Sequence, residues 1–309
     1  MKRREFSYTL GMSGLSLLAG ARLPGMTRSD EVKVTILHTN DVHSHIDPFP
    51  MDGGRNQGKG GAARRAAMIK AIRARETNVL LMDAGDILQG TPYFNYFDGE
   101  LEFELMDRMG YDVATIGNHD YDGGIDLLAK RISESDFSML NANYILKDTV
   151  LHERVQPYQI YEYEGIKIGV TAVGIELDGL VPKELYGDCV YTDPVAAATK
   201  QALWLKQEAG CDYVVCLSHL GLYYRGEKVS DQVMAEQSRG IDFIIGGHTH
   251  SFMRDPDVVK NLDDEPVLIN QVGFAGLILG RIDLSFERSK KSVCSSCSTQ
   301  WVEDWSFTH

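Results

Sequence analysis

Five short apolar runs in this chain each break, at their last residues, into glycine, aspartate, asparagine or histidine, and that recurrence constrains the fold more than any other feature. "VTILHTNDVH" leads to Asp41 and His43, "VLLMDAGD" to Asp86, "VATIGNH" to Asn118 and His119, "VVCLSH" to His219, and "FIIGGHTH" to His248 and His250. Short β-branched runs bounded by glycine read as buried strands. Between them lie stretches with helical character, such as "GGAARRAAMIKAIRARE", "GELEFELMDRMG" and "IDLLAKRISES". Strands alternating with helices predict an α/β domain. In such sheets ligands bind beyond the carboxyl ends of the strands. The predicted topology therefore gathers these Asp, Asn and His side chains at one edge.

A second half repeats the rhythm. "QPYQIYEYEGIKIGVTAVG" predicts a hairpin turning at Glu164 and Gly165, and "DPVAAATKQALWLKQEAG" a helix opened by Asp193 with Pro194 at its first position. Strands follow at "DYVVCLSHLG", "IDFIIGGHTH", "EPVLINQVG" and "GLILGRIDLSFE". Beyond Arg288 the periodicity stops. The folded unit is expected over residues 31–288, with 289–309 as a disordered polar tail. No internal repeat is evident.

Residues 1–28 read as an export signal. Lys2, Arg3 and Arg4 precede Phe6, a mildly apolar stretch and small residues around Ala19 to Ala21, in the order of a twin-arginine-like address. The stretch is too short to span a bilayer, so the expectation is a periplasmic protein without stable membrane insertion. With 31 basic and 44 acidic residues, the net charge of −13 repels a polyanion and excludes nucleic-acid polymers as first-choice partners. A phosphate-bearing ligand then needs local cations, which bound metal ions supply. Cys189, Cys211 and Cys216 read as buried positions. Cys294 and Cys297 form a lone CxxC without a second ligand pair and are assigned no function.

Spacing sharpens the cluster. In extended backbone residues two apart point the same way, so Asp41 with His43, and His248 with His250, can each aim at one point. Carboxylate, imidazole and amide donors without thiolate suit Zn, Mn, Fe, Co or Mg. One ion rarely takes so many side chains, so two divalent ions are expected, with Asp86 as the bridging carboxylate. His38 is expected to pack inside its strand and His45 to lie behind the ligands. His152 and His309 are expected to face solvent, and Arg64 and Arg65 to lie on a solvated helix face with one able to reach a phosphate.

Asp41-x-His43, Gly85-Asp86 with Gly90, Gly117-Asn118-His119-Asp120, His219 and Gly247-His248-Thr249-His250 together resemble the signature set of calcineurin-like metallophosphoesterases. "ILHTNDVHSH" and "GNHDYDGG" are similar to its 5'-nucleotidase branch, and the resemblance runs from Val32 to Phe286. It implies a four-layer αββα sandwich. It also implies one ion held by Asp41, His43, Asp86 and His250, and the other by Asp86, Asn118, His219 and His248. The expected reaction is hydrolysis of phosphate monoesters, 5'-nucleotides first, by a hydroxide generated at the ions. Asn118 and His119 are expected to contact the substrate, with His119 as the general acid for the leaving group. Cyclic 2',3'-phosphodiesters and nucleotide sugars are alternative substrates.

The branch's pattern continues into a second domain carrying nucleoside-binding aromatics. A separately encoded nucleotide-binding protein is therefore an expected partner, and a non-catalytic exported metal-binding subunit is the competing reading. Two acids follow His119. Asp122, three residues on, is expected to orient it, because that separation brings side chains together in a helical turn. Asp120 is expected to hold the loop, and its substitution to cost less activity than Asp122→Asn.

Overall fold

The buried strands alternate their side chains between two different interfaces, and this alternation builds the layers. The computed structural model describes residues 31–226, 228–287 and 292–302. The expected export signal and His309 lie outside them. In the first half, β1 (Glu31–Thr39), α1 (Ala62–Arg73), β2 (Val79–Asp83), α2 (Pro92–Phe97), α3 (Glu100–Met109), β3 (Val113–Thr115), α4 (Ile125–Glu134), β4 (Ser138–Leu140), β5 (Tyr144–Ile145) and β6 (Val155–Gln156) follow in order. The middle holds β7 (Tyr158–Tyr163), β8 (Ile166–Gly174), α5 (Lys183–Tyr186), β9 (Val190–Tyr191) and α6 (Pro194–Gln207). The last part holds β10 (Tyr213–His219), α7 (Asp231–Gln237), β11 (Phe243–Gly246), β12 (Asp257–Lys260), β13 (Pro266–Asn270), β14 (Ile278–Glu287) and β15 (Ser292–Trp301).

Two mixed sheets result, one ordered β15-β14-β1-β2-β3-β4-β6 and the other β12-β13-β11-β10-β8-β7. Val32, Val34 and Ile36 of β1 and Leu80 and Met82 of β2 pack against Ile168, Val170, Val215, Leu217 and Ile245 of the facing sheet. The alternate residues Leu37 and Leu81 instead pack on Met68, Phe103 and Leu128 of the helices that cover the first sheet. Val214, Cys216 and Ile244 likewise meet Ala198, Ala202, Leu205 and Met234 of α6 and α7. A period of two with both faces apolar is what a strand covered on each side requires. The expected αββα sandwich is the architecture found.

Local signals behave as their chemistry dictates. Glu164 and Gly165 both adopt positive φ, 53° and 90°, at the turn between β7 and β8, as a two-residue hairpin turn needs. The Asp193 carboxylate accepts from Val195 N at 2.9 Å and Ala196 N at 3.2 Å, capping α6.

Two expectations are corrected. The tail boundary at residue 289 falls too early, because Ser292–Trp301 forms β15, paired antiparallel with β14 from Glu287↔Ser292 to Ile278↔Trp301. Its Ser- and Cys-rich sequence hides the strand, since the backbone makes the ladder and small polar residues carry little pattern. Cys294 and Cys297 belong to this strand, and their side chains lie outside those described. Arg65 is only 3% exposed rather than solvated; alanines around α1 leave its buried face unmarked. Arg64 donates to the carbonyls of Gly58 and Gly60, which ties it to the preceding loop.

Candidate metal centre

Parallel pairing brings the ends of β1, β2 and β3 to one edge of the first sheet, and those of β10 and β11 to the adjoining edge of the second. The loops then zip together where the ladders stop. Asp41 N donates to Gly85 O at 2.9 Å, His43 N to Asp86 O at 3.0 Å and Ser44 N to Ile87 O at 2.9 Å. The Asp41 carboxylate crosses to the other sheet and accepts His248 N at 3.0 Å on both oxygens.

Two groups of ligand atoms form there. Asp41, His43 and His250 make one, and Asp86, His219 and His248 the other, with the atoms of each group within 4.8 Å of one another. His43 and His250 face each other through Nε2 at 3.0 Å, and Asp41 Oδ1 lies 3.3 Å from His250 Nε2. Asp86 Oδ2 stands between the groups, 3.0 Å from His219 Nε2 and 3.8 Å from His43 Nε2, which fits a bridging carboxylate. Asn118 Oδ1 lies 2.8 Å from His248 Nδ1. The structure thus brings all seven expected ligands to one place.

The donor set fits divalent ions on its chemistry. His219 Nε2 is buried and makes no hydrogen bond. His219 Nδ1 lies 2.7 Å from Ala84 O and His43 Nδ1 lies 3.3 Å from Leu88 O. A carbonyl only accepts, so each Nδ1 carries a proton and Nε2 is the nitrogen turned toward the cluster, the arrangement of metal-ligating imidazoles. Burial lowers the pKa of His43, with Asp86 and Asp41 opposing, and pushes His248 down to about 4. Both are therefore neutral, as a ligand must be. Burial also disfavours the charge on Asp86, but the adjoining His219 overrides it and holds the carboxyl well below the usual range.

Close approach explains the glycines. A Cβ on Gly117 would lie 2.1 Å from Asp86 Oδ1, and one on Gly247 would lie 2.8 Å from both Ala84 O and His219 Nδ1. Five of the candidate ligands themselves occupy the left-handed region: Asp41 (φ 50°), His43 (51°), Asp86 (56°), His248 (71°) and His250 (52°). Such backbone costs of the order of 1–3 kcal/mol per residue and collects at functional sites.

The two acids after His119 separate cleanly. His119 begins a 3-10 turn, His119–Tyr121, which swings Asp122 Oδ2 to 2.8 Å from His119 Nδ1. That bond raises the His119 pKa, with partial burial opposing. His119 N also donates to Asp86 Oδ1 at 2.8 Å, and its ring lies 5.4 Å from that of His43. Asp120 points the other way. Its carboxylate accepts Asp86 N (3.1 Å), Ile87 N (2.9 Å), Leu88 N (3.0 Å) and Gly117 N (2.8 Å). It holds two candidate ligand-bearing loops at once, the loop-holding role expected of it.

Of the remaining histidines, His38 is fully buried, His152 is exposed, and His45 stacks on Phe49 at 4.6 Å without joining either group. Sequence reasoning passes over Asn40. Its Nδ2 donates to Asp41 Oδ2 and to Gly273 O, both at 2.6 Å, while its Oδ1 accepts Val272 N at 2.9 Å. The available signal was its place directly before Asp41 at a strand end.

Two facing mixed sheets with paired Asp/His groups at their joint edge are the architecture of the metal-dependent phosphoesterase family. Residues 34–252 match the calcineurin-like phosphoesterase family, and the chain belongs to that family. It is 33% identical over 287 residues to the snake venom 5'-nucleotidase of Gloydius brevicauda, covering 85% of this chain and 47% of that one. Among solved structures it resembles the 5'-nucleotidase precursor of Thermus thermophilus, with a TM-score of 0.77, 29% identity, and 87% and 54% of the two chains covered. It also resembles the calcineurin-like phosphoesterase YfkN of Bacillus subtilis, with a TM-score of 0.69, 26% identity, and 88% and 91% covered. The chain spans about half the length of the curated relatives it matches. No helix among the described residues is long and apolar enough to cross a membrane.

Proposed function

We propose that this chain hydrolyses phosphate monoesters, with 5'-nucleotides, cleaved to nucleoside and phosphate, as the leading substrates. The observation that carries the reading is the 2.8 Å contact of His119 with Asp122 at the rim of the paired clusters. A site that only stores metal needs no oriented imidazole beside it. Relatives bearing the 5'-nucleotidase name match 85% of the chain, which supports nucleotides as the class.

Asp41, His43, Asp86 and His250 would hold one ion and Asp86, Asn118, His219 and His248 a second, and ions bound there would supply Lewis acidity and lower the pKa of water from about 15.7 to about 7. The protein's own groups do the rest. The Asn118 amide and His119 face the phosphoryl group. Asp122 accepts from His119 Nδ1 and leaves Nε2 to carry the proton given to the departing ribose oxygen. Water adds to phosphorus as the P–O bond to that oxygen breaks, so the products are an alcohol and inorganic phosphate. The twin-arginine-like order of residues 1–28 supports export to the periplasm, and replacing Arg3 and Arg4 by lysine should retain the protein in the cytoplasm on fractionation.

The test is phosphate release by the purified chain from AMP and from an aryl phosphate, with Mn or Zn added. His119→Ala should lower the AMP rate by about 10²- to 10⁴-fold and spare the aryl ester, whose leaving group needs no proton. Equal loss on both substrates removes the general-acid role. Two bound ions with no release from AMP, cyclic nucleotides or the aryl ester would leave a metal-binding subunit instead.

A further inference from the structure

One buried amide outside both clusters grips the loop that serves them both. Gln271 directly follows β13 and is fully buried. Its Nε2 donates to Gly247 O at 2.6 Å. Its Oε1 accepts Thr249 Oγ1 at 3.1 Å and also, in a short contact, Ser251 N. These bonds fall before His248, between His248 and His250, and after His250. One side chain therefore brackets a ligand of each cluster.

The register shows why a glutamine suits this position. β11 and β13 run parallel, with Ile245 opposite Asn270 as the last pair. The next step along the ladder sets Gln271 beside the start of the Gly247–Ser251 loop, whose backbone no longer follows a strand because His248 and His250 turn to φ 71° and 52°. Buried backbone groups need partners, and the Gln271 amide provides a donor and an acceptor where the ladder ends. Thr249 extends the clamp, since its Oγ1 accepts Leu222 N at 3.0 Å from the chain beyond His219.

We propose that Gln271 is a positioning residue that sets both metal sites together, by holding His248 and His250 in the backbone conformation that aims each at its own cluster. This rests on the reading that the clusters bind divalent ions, and the test separates the two claims. The metal-stripped chain is titrated with Co²⁺, followed by visible absorption and calorimetry. The wild type should take two ions. Gln271→Met, which fills the space without either bond, should weaken both by about 10- to 100-fold, the range for groups that orient ligands, with excess Co²⁺ restoring the spectrum. Gln271→Glu, which keeps the acceptor and loses the donor, should fall between. His250→Ala should weaken one ion more than the other, so joint loss is distinct from general damage to the loop.

If Gln271→Met fails to fold, Thr249→Val decides, with a smaller joint loss expected. Affinities within twofold of wild type in the folded variants, loss at one site alone, or a lowered Tm with intact affinities would overturn the proposal. A wild type that binds no Co²⁺ would overturn the metal reading itself, and the proposal with it.

Discussion

His38 and His219 are both fully buried and both lie on central strands, yet their surroundings give them opposite properties. His38 sits inside β1, edge-on to Phe243 at 6.2 Å, and neither ring nitrogen makes a hydrogen bond. Burial pushes its pKa down to about 4, with the Asn270 side chain opposing. His219 is the last residue of β10. Burial pushes its pKa down too, but the Asp86 carboxylate 3.0 Å away prevails and raises it. One histidine is a neutral packing group and the other a candidate metal ligand that faces a carboxylate. The difference is one of position, because only at the strand end do loops from other strands deliver partners.

The strongest way to break this contrast is to remove the partner. Asp86→Ala takes away the carboxylate that stands between the two groups of candidate ligands and leaves His219 buried without its counter-charge. Loss of both ions is expected on metal analysis of the purified protein, with phosphate release falling to background. Retention of either ion at wild-type affinity would show that Asp86 is not shared.

Next in size is Asp120→Asn, which tests the frame rather than the ligands. An amide nitrogen cannot accept, so two of the four backbone N–H groups on this carboxylate lose their partner. Each buried unpaired group costs about 1–3 kcal/mol, so about 2–6 kcal/mol of stability should be missing from urea unfolding of the metal-free chain. Asp122 is half-buried and bonded to one side chain. Asp122→Asn should leave that unfolding curve nearly in place while lowering activity less than His119→Ala. The reverse order would mean that Asp122, not Asp120, holds the loops.

The strand-end ligands were legible because their chemistry is written in residue type. Asp41, His43, Asp86, Asn118, His219, His248 and His250 each follow an apolar run, and glycines mark the turns. The Asp122 contact was legible from its spacing. The clamps were not, because Asn40 and Gln271 act on backbone atoms of loops remote in sequence, as Asn40 does on Val272 and Gly273. No local pattern announces an amide that completes another segment's hydrogen bonds. Arg65 was misplaced because helix α1 is lined with alanine, and β15 because an edge strand can pair through its backbone alone. The left-handed backbone at five candidate ligands was also hidden, since aspartate and histidine, though enriched there, still adopt it in only a small minority of positions.

The smallest expected effect sharpens the interior half of the contrast. In the unfolded chain His38 takes up a proton near pH 6.5, whereas in the fold it stays neutral until about pH 4. Between those values the unfolded state binds more protons, so the contribution is fully present above pH 6.5 and is lost as pH falls, by about 3 kcal/mol at completion. His38→Leu removes this titration and keeps an apolar side chain in the same space. The stability of the variant relative to wild type should therefore rise steadily from pH 6.5 toward pH 4, measured by urea unfolding without metal. Asp83 and Asp231, whose pKa values burial raises to about 7 and about 8, titrate in both proteins and drop out of the difference. A difference that stays flat with pH would mean that His38 finds a proton acceptor in the core, and that strand position does not by itself separate the two histidines.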